Sequence, residues 1–151
     1  MSGCCSGPTR VTVEAAFYMQ EGETCERCGD TREATRAAVA EATGLLSPAG
    51  VVVVLAEREL DRSGIAESNQ VLVNGRPVEE WLGGSATESD CPSCADLIGE
   101  PTCCRAVEID GLVSEALSRE TIVGAIMTAA GHAPARPGRL AVTIVTGAGC
   151  G

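Results

Sequence analysis

Along the chain, hydrophobic positions alternate, bunch and thin out in a pattern that predicts a small α/β domain. Val11, Val13, Ala15 and Phe17 or Tyr18 recur at nearly every second position between Val11 and Met19, the period of a strand with one buried face. After the polar residues 20–24 the spacing lengthens. Ala34, Ala38, Ala42 and Leu45 then share a helical face, with Asp30 and Glu33 spaced as a capping box and an end near Gly44 or Ser47-Pro48. Val51 to Leu55 is an unbroken, mostly β-branched run, which predicts a central strand covered on both faces.

Residues 57–68 are charged, with one short helical turn expected around 61–66. Gln70 to Val73 runs into the turn signal Asn74-Gly75, and 78–82 reads as a single helical turn. The stretch 83–104 shows no period and is expected to be a polar, irregular loop. Beyond it, 106–109 and 112–116 flank Asp110-Gly111, a pair suited to the positive φ of a two-residue hairpin. Ser118 is placed to cap a last helix burying Ile122, Val123, Ile126, Met127 and Ala130. The predicted domain is therefore 11–131. Residues 1–10 form a small-residue, flexible tail carrying Cys4-Cys5, and 132–151 an extension with a candidate edge strand at 140–145 and Cys150 near its end.

Composition sharpens this in two places. Phe17, Tyr18 and Trp81 are the only aromatic residues among 151, so the core must be built from Val, Leu, Ile and Ala. The net charge of -10 disfavours nucleic acid and anionic membranes as partners, whereas small cations and thiophilic ions are attracted. All eleven basic side chains are arginines. The longest apolar run, Val51 to Ala56, is too short to span a bilayer, and the first ten residues lack the apolar segment of a secretory signal. A reducing, cytoplasmic setting is the expectation, and there thiols serve as metal ligands or catalytic groups more often than as structural disulfides.

The chemistry lies in nine cysteines. Cys25 and Cys28 form a Cys-x-x-Cys pair at the entrance of the first helix, where the helix dipole and Arg27 favour a thiolate while Glu26 opposes it. Two readings stay open for this pair: Cys25 attacking and Cys28 resolving in thiol–disulfide exchange, or both holding a metal. Cys91, Cys94, Cys103 and Cys104 supply four sulfurs within fourteen residues, the ligand count of a closed tetrahedral site. A mixed set of Cys25, Cys28, Cys91 and Cys94 is equally compatible with the spacing. Asp96 adds a candidate proton donor beside Cys94, and His132 is read as an exposed group beyond the last helix. Nothing in the sequence forms a phosphate loop, a Ser/His/Asp set or a nucleotide fingerprint.

The order strand, Cys-x-x-Cys, helix, strand, strand, hairpin, helix is that of a thioredoxin-like domain. Asn69 to Gly75 resembles the glutaredoxin strand that ordinarily follows a cis-proline, with Asn69 or Gln70 at the proline's position. Four stretches together resemble an uncharacterised family of thioredoxin-like, cysteine-rich bacterial and archaeal proteins. They are Cys25-Glu-Arg-Cys-Gly, residues 67–83, Cys91-Pro-Ser-Cys94 and 104–111. The resemblance implies a mixed sheet flanked by helices, with 83–104 as a cysteine-rich insertion, and it carries no activity.

Two functions follow as expectations. One is a protein that coordinates a soft metal or metalloid of the zinc, arsenic or mercury class, in the manner of heavy-metal resistance. The other is a dithiol–disulfide oxidoreductase acting on a thiol or disulfide substrate through Cys25 and Cys28. A third rests on Cys94-Ala95-Asp96 alone, which resembles a fragment of the alkylmercury lyases. Excess thiols over what exchange chemistry needs favour the first.

Overall fold

The computed structural model describes residues 9–132. The expectations for Cys4, Cys5, residues 140–145 and Cys150 lie outside these residues. The first sheet has the order β2-β1-β3-β4, built from β1 (Thr9–Tyr18), β2 (Val51–Leu60), β3 (Gln70–Val73) and β4 (Arg76–Pro77). β1 runs parallel to β2 and antiparallel to β3, and β3 turns back into β4. Helix α1 (Glu26–Leu46) makes the crossover between the parallel strands. A mixed sheet with this connectivity is the thioredoxin-like arrangement that the order of elements predicted.

β1 is central because its alternate residues Val11, Val13, Ala15 and Phe17 all point into the core and are essentially inaccessible. Its other edge and face are where the expectation for Val51 to Leu55 fails. Among the described residues β2 is an edge strand paired only with β1, and Val52 and Val54 are 46% and 36% exposed. Four consecutive valines signal a strand but do not say how many faces are covered. Only Val51 is buried, with Val53 and Leu55 half-buried on the same face.

α1 packs on the inner face with helix α4 (Arg119–Ala129) beside it. Its buried stripe is Thr31, Thr35, Ala38, Ala42 and Leu46, so the expected Leu45 points outward at 53% exposure and Leu46 takes its place. The two buried threonines satisfy their hydroxyls locally: Thr35 Oγ1 donates to Thr31 O, and Thr31 Oγ1 accepts from Leu117 N. α4 starts as predicted, with Ser118 Oγ accepting from Thr121 N, and buries Ile122, Val123, Ala125 and Ile126.

Between β4 and α4 the chain makes helix α2 (Val78–Trp81) and then a second unit. Residues 83–104, expected to be irregular, hold β5 (Ser85–Asp90) and helix α3 (Pro92–Ile98), with β6 (Cys103–Ile109) beginning at their end. β5 and β6 pair antiparallel, and β6 pairs with β7 (Leu112–Ser114) through the predicted Asp110-Gly111 turn, both residues at positive φ. The sequence hid β5 because Ser85 to Asp90 carries no apolar alternation, and the strand is held by its ladder to β6 rather than by a greasy face. Gly84 is required where the core hands over to this sheet. A Cβ there would lie 2.2 Å from Glu108 O.

Candidate metal centre at the junction of core and insertion

Each Cys-x-x-Cys pair occupies the same station on a helix. Cys25 is the N-cap of α1, and Cys28 therefore sits at its third helical position; Cys91 is the N-cap of α3, and Cys94 is its third position. N-cap and third-position side chains face each other across the first turn, which is the geometry a capping box uses. Here sulfurs replace the usual oxygens, and Cys91 Sγ shares a 3.6 Å hydrogen bond with Ser93 Oγ of α3. α1 thus begins one turn earlier than the Asp30–Glu33 pattern suggested, which puts Cys28 inside the helix. Pro92, at the first position of α3, is the signal that could have revealed that helix in the sequence.

The insertion folds back so that the two pairs meet. The sulfurs of Cys25, Cys91 and Cys94 all lie within 4.8 Å of one another. Cys104, on β6, is buried beside them and interacts electrostatically with Cys25, Cys91 and Cys94, although its sulfur lies outside the group whose members are all within 4.8 Å of one another. All four are at most 3% exposed, and they are free thiols together with Cys28. Cys28 touches Cys25 and shares a 2.8 Å hydrogen bond with Ser68 Oγ, which also accepts from Tyr18 N.

Successive residues of a strand point to opposite faces. Cys104 is consequently buried in the cluster while Cys103 faces outward and is exposed. The vicinal pair predicted to grip one ion together is split by the strand that carries it. Asp96, two residues past Cys94 on α3, is exposed and does not join the sulfurs. His132 is exposed beyond α4, as anticipated.

Electrostatics divide the cluster. Interactions with the side chains of Cys104, then Cys28 and Cys91, hold the Cys25 thiol well below the ordinary thiol range. Arg27, expected to do this, is used elsewhere. Contact with the Cys25 thiolate, reinforced by burial, drives Cys28 above the ordinary range. Cys104 is raised by its contacts with Cys25 and Cys91 and then by burial, and burial pushes Cys94 up to about 12. Cys25 favours the thiolate while Cys28, Cys94 and Cys104 hold their protons, because burying several thiolates in a dry pocket without a cation is costly.

Polar contacts that the sequence did not suggest hold this junction. Arg27, its side chain 4% exposed, donates from Nη2 to Asp90 O (2.8 Å) and to Glu115 Oε2 (3.0 Å), and from Nη1 to Cys104 O (3.2 Å). Asn69 stands in the left-handed region at φ 67° and its Nδ2 donates to Arg105 O and Glu115 O. Asparagine tolerates that backbone conformation, and no cis peptide bond occurs among the described residues. On the far side, Arg105 of β6 pairs with the fully buried Glu79 of α2.

With the site in view, comparison with known proteins gives its relatives. Residues 11–126 match the family model described as "Domain of unknown function (DUF2703)". The chain belongs to this family. It is also 33% identical over 117 residues to an uncharacterized protein of Archaeoglobus fulgidus, covering 75% of this chain and 82% of the relative. No solved structure matches. The DUF2703 match ends within α4 and includes the five free cysteines found among the described residues. No helix among the described residues is long and apolar enough to cross a membrane.

Proposed function

We propose that this DUF2703 protein binds a soft metal or metalloid ion, of the zinc, arsenic or mercury class, through Cys25, Cys91, Cys94 and Cys104. The observation that carries the reading is the mutual approach of three buried sulfurs to within 4.8 Å, with a fourth thiol buried beside them. The donors are thiols alone, and a thiolate set selects soft ions over magnesium or calcium. Four thiols also match the count of a closed tetrahedral site, and three suffice for a pyramidal metalloid. The five free thiols among the described residues suit a reducing compartment such as the cytosol. The test is elemental analysis of untagged protein purified without added metal, with a thiol count before and after chelation. About one soft ion per chain and four thiols newly reactive after chelation are the expected result. Metal-free protein that also fails to take up zinc, arsenite or mercuric ion on titration would overturn the reading.

One observation favours a second function. Cys28 lies in contact with Cys25 yet outside the three-sulfur group, and Cys25 has the lowered pKa of an attacking thiol. That is the pairing a dithiol–disulfide oxidoreductase needs, with Cys28 resolving. Replacing Cys28 with serine should then trap a mixed disulfide at Cys25. Absence of any trapped species, with metal binding intact, leaves the binding function alone.

A further inference from the structure

Beside the thiol cluster lies a cleft of about 240 Å³, lined by Glu26, Arg27, Asp30, Cys91, Pro92, Ser93, Glu115 and Ala116. Of the cluster sulfurs, only that of Cys91 belongs to a residue on its wall. Three carboxylates face one guanidinium there, and Arg27 is already committed to Glu115 at 3.0 Å. The cleft is therefore net negative by two charges (three acids less one base). Glu26 and Asp30 are exposed and engage no ion pair among the described residues, whereas the sulfurs behind them are closed to solvent.

We propose that this cleft is the entry path of the cation and that Cys91 is the receiving ligand, an inference that rests on the metal-binding reading above. The carboxylates raise the local concentration of a small divalent cation without retaining it, since oxygen donors bind a soft ion less tightly than sulfur. The ion then exchanges onto Cys91. Cys25 and Cys94, both within 4.8 Å of that sulfur, and Cys104 close around it, and each ligand still protonated when it binds releases its proton to solvent. No oxidant or reductant takes part.

The experiment is rapid mixing of the reduced, metal-free full chain with cadmium ion, followed by the cadmium–thiolate ultraviolet band. Glu26→Gln/Asp30→Asn removes two charges from the cleft. Glu108→Gln/Asp110→Asn removes the same two charges from the β6–β7 hairpin, several residues along the strand from Cys104. At low salt the cleft variant should associate about threefold to tenfold more slowly than the parent, with a flatter salt dependence, and the hairpin variant should match the parent. Cys91→Ser should abolish the fast phase and leave slow, partial loading. Equal rates in the cleft variant and the parent, or equal slowing in the hairpin variant, would overturn the entry path while leaving the metal site standing. Failure of the parent to develop the band would instead remove the metal site itself.

Discussion

The thioredoxin-like core and the unit inserted between β4 and α4 are stabilised in different ways. The core buries Val11, Val13, Phe17, Val71, Val73, Ile122 and Ile126 against one another, with each side chain contributing about 1.5–3 kcal/mol through burial. The insertion has β5, β6, β7 and a two-turn helix, yet its buried residues are mainly Ser89, Cys91, Cys94, Cys104, Arg105, Ala106 and Val107. Its interior is thiols, one arginine and a few small apolar groups. What fastens it to the core is a set of directional contacts from Arg27, Asn69 and the Arg105–Glu79 pair. A region built this way depends on its polar partners and on whatever the sulfurs bind, and its order should follow both.

The largest effect should come from breaking the buried pair. Arg105→Met leaves the buried Glu79 carboxyl without its partner, and about 3–5 kcal/mol of stability should be lost in denaturant unfolding. Adding Glu79→Leu should recover most of that loss. A core substitution such as Ile126→Ala should cost about 2–5 kcal/mol as well, but no second change in the insertion should recover it.

Ion binding should separate the regions more finely. Saturating ion at about one hundred times its dissociation constant adds about 2.7 kcal/mol of stability. Hydrogen exchange should then slow across 85–104, while amides of β1 and β3 keep the protection they have in the metal-free chain. Cys104→Ser should weaken binding about 100-fold or more, since even supporting groups around a metal cost 10–100-fold when lost. Cys103→Ser, on the outward face of the same strand, should change it little.

Much of the core was legible because its signals are local and apolar: the alternation of β1, the Asn74-Gly75 and Asp110-Gly111 turns, and the Ser118 cap. The insertion was not, for the reason that makes it distinctive. Ser85 to Asp90 buries almost nothing, so no period betrays β5, and the α3 signal reduces to Pro92. The cysteines flagged the chemistry but could not say which of them meet. Strand alternation separates Cys103 from Cys104, and the fold unites Cys25 with residues more than sixty positions away. Arg27 was read as an electrostatic helper of Cys25, but a buried arginine whose partners are distant backbone carbonyls and the Glu115 carboxylate leaves no mark in sequence.

A smaller, pH-dependent effect follows from the thiols. Cys28, Cys94 and Cys104 have folded pKa values above 9.0, so they stabilise the metal-free fold below that pH and lose the contribution as pH rises through their folded values, about 12 for Cys94. Cys25 has the opposite sign: its contribution is complete above 9.0 and fades only on acidification. Metal-free protein should consequently become easier to unfold as pH climbs above 9.0, most visibly in the insertion. Protein carrying an ion, with Cys94 and Cys104 already deprotonated as ligands, should show a weaker dependence, the part left to Cys28. The smallest effect belongs to the open face of β2, where Val52→Thr should shift stability by no more than about 0.5 kcal/mol.

X-ray absorption at the zinc edge of the loaded full chain tests the central claim most directly. Four sulfur neighbours at about 2.3 Å, with no nitrogen or oxygen in the inner shell, are the predicted result, and Cys104→Ser should reduce the sulfur count by one. An inner shell of oxygen or nitrogen, or a sulfur count unchanged in Cys104→Ser, would contradict a site made of Cys25, Cys91, Cys94 and Cys104.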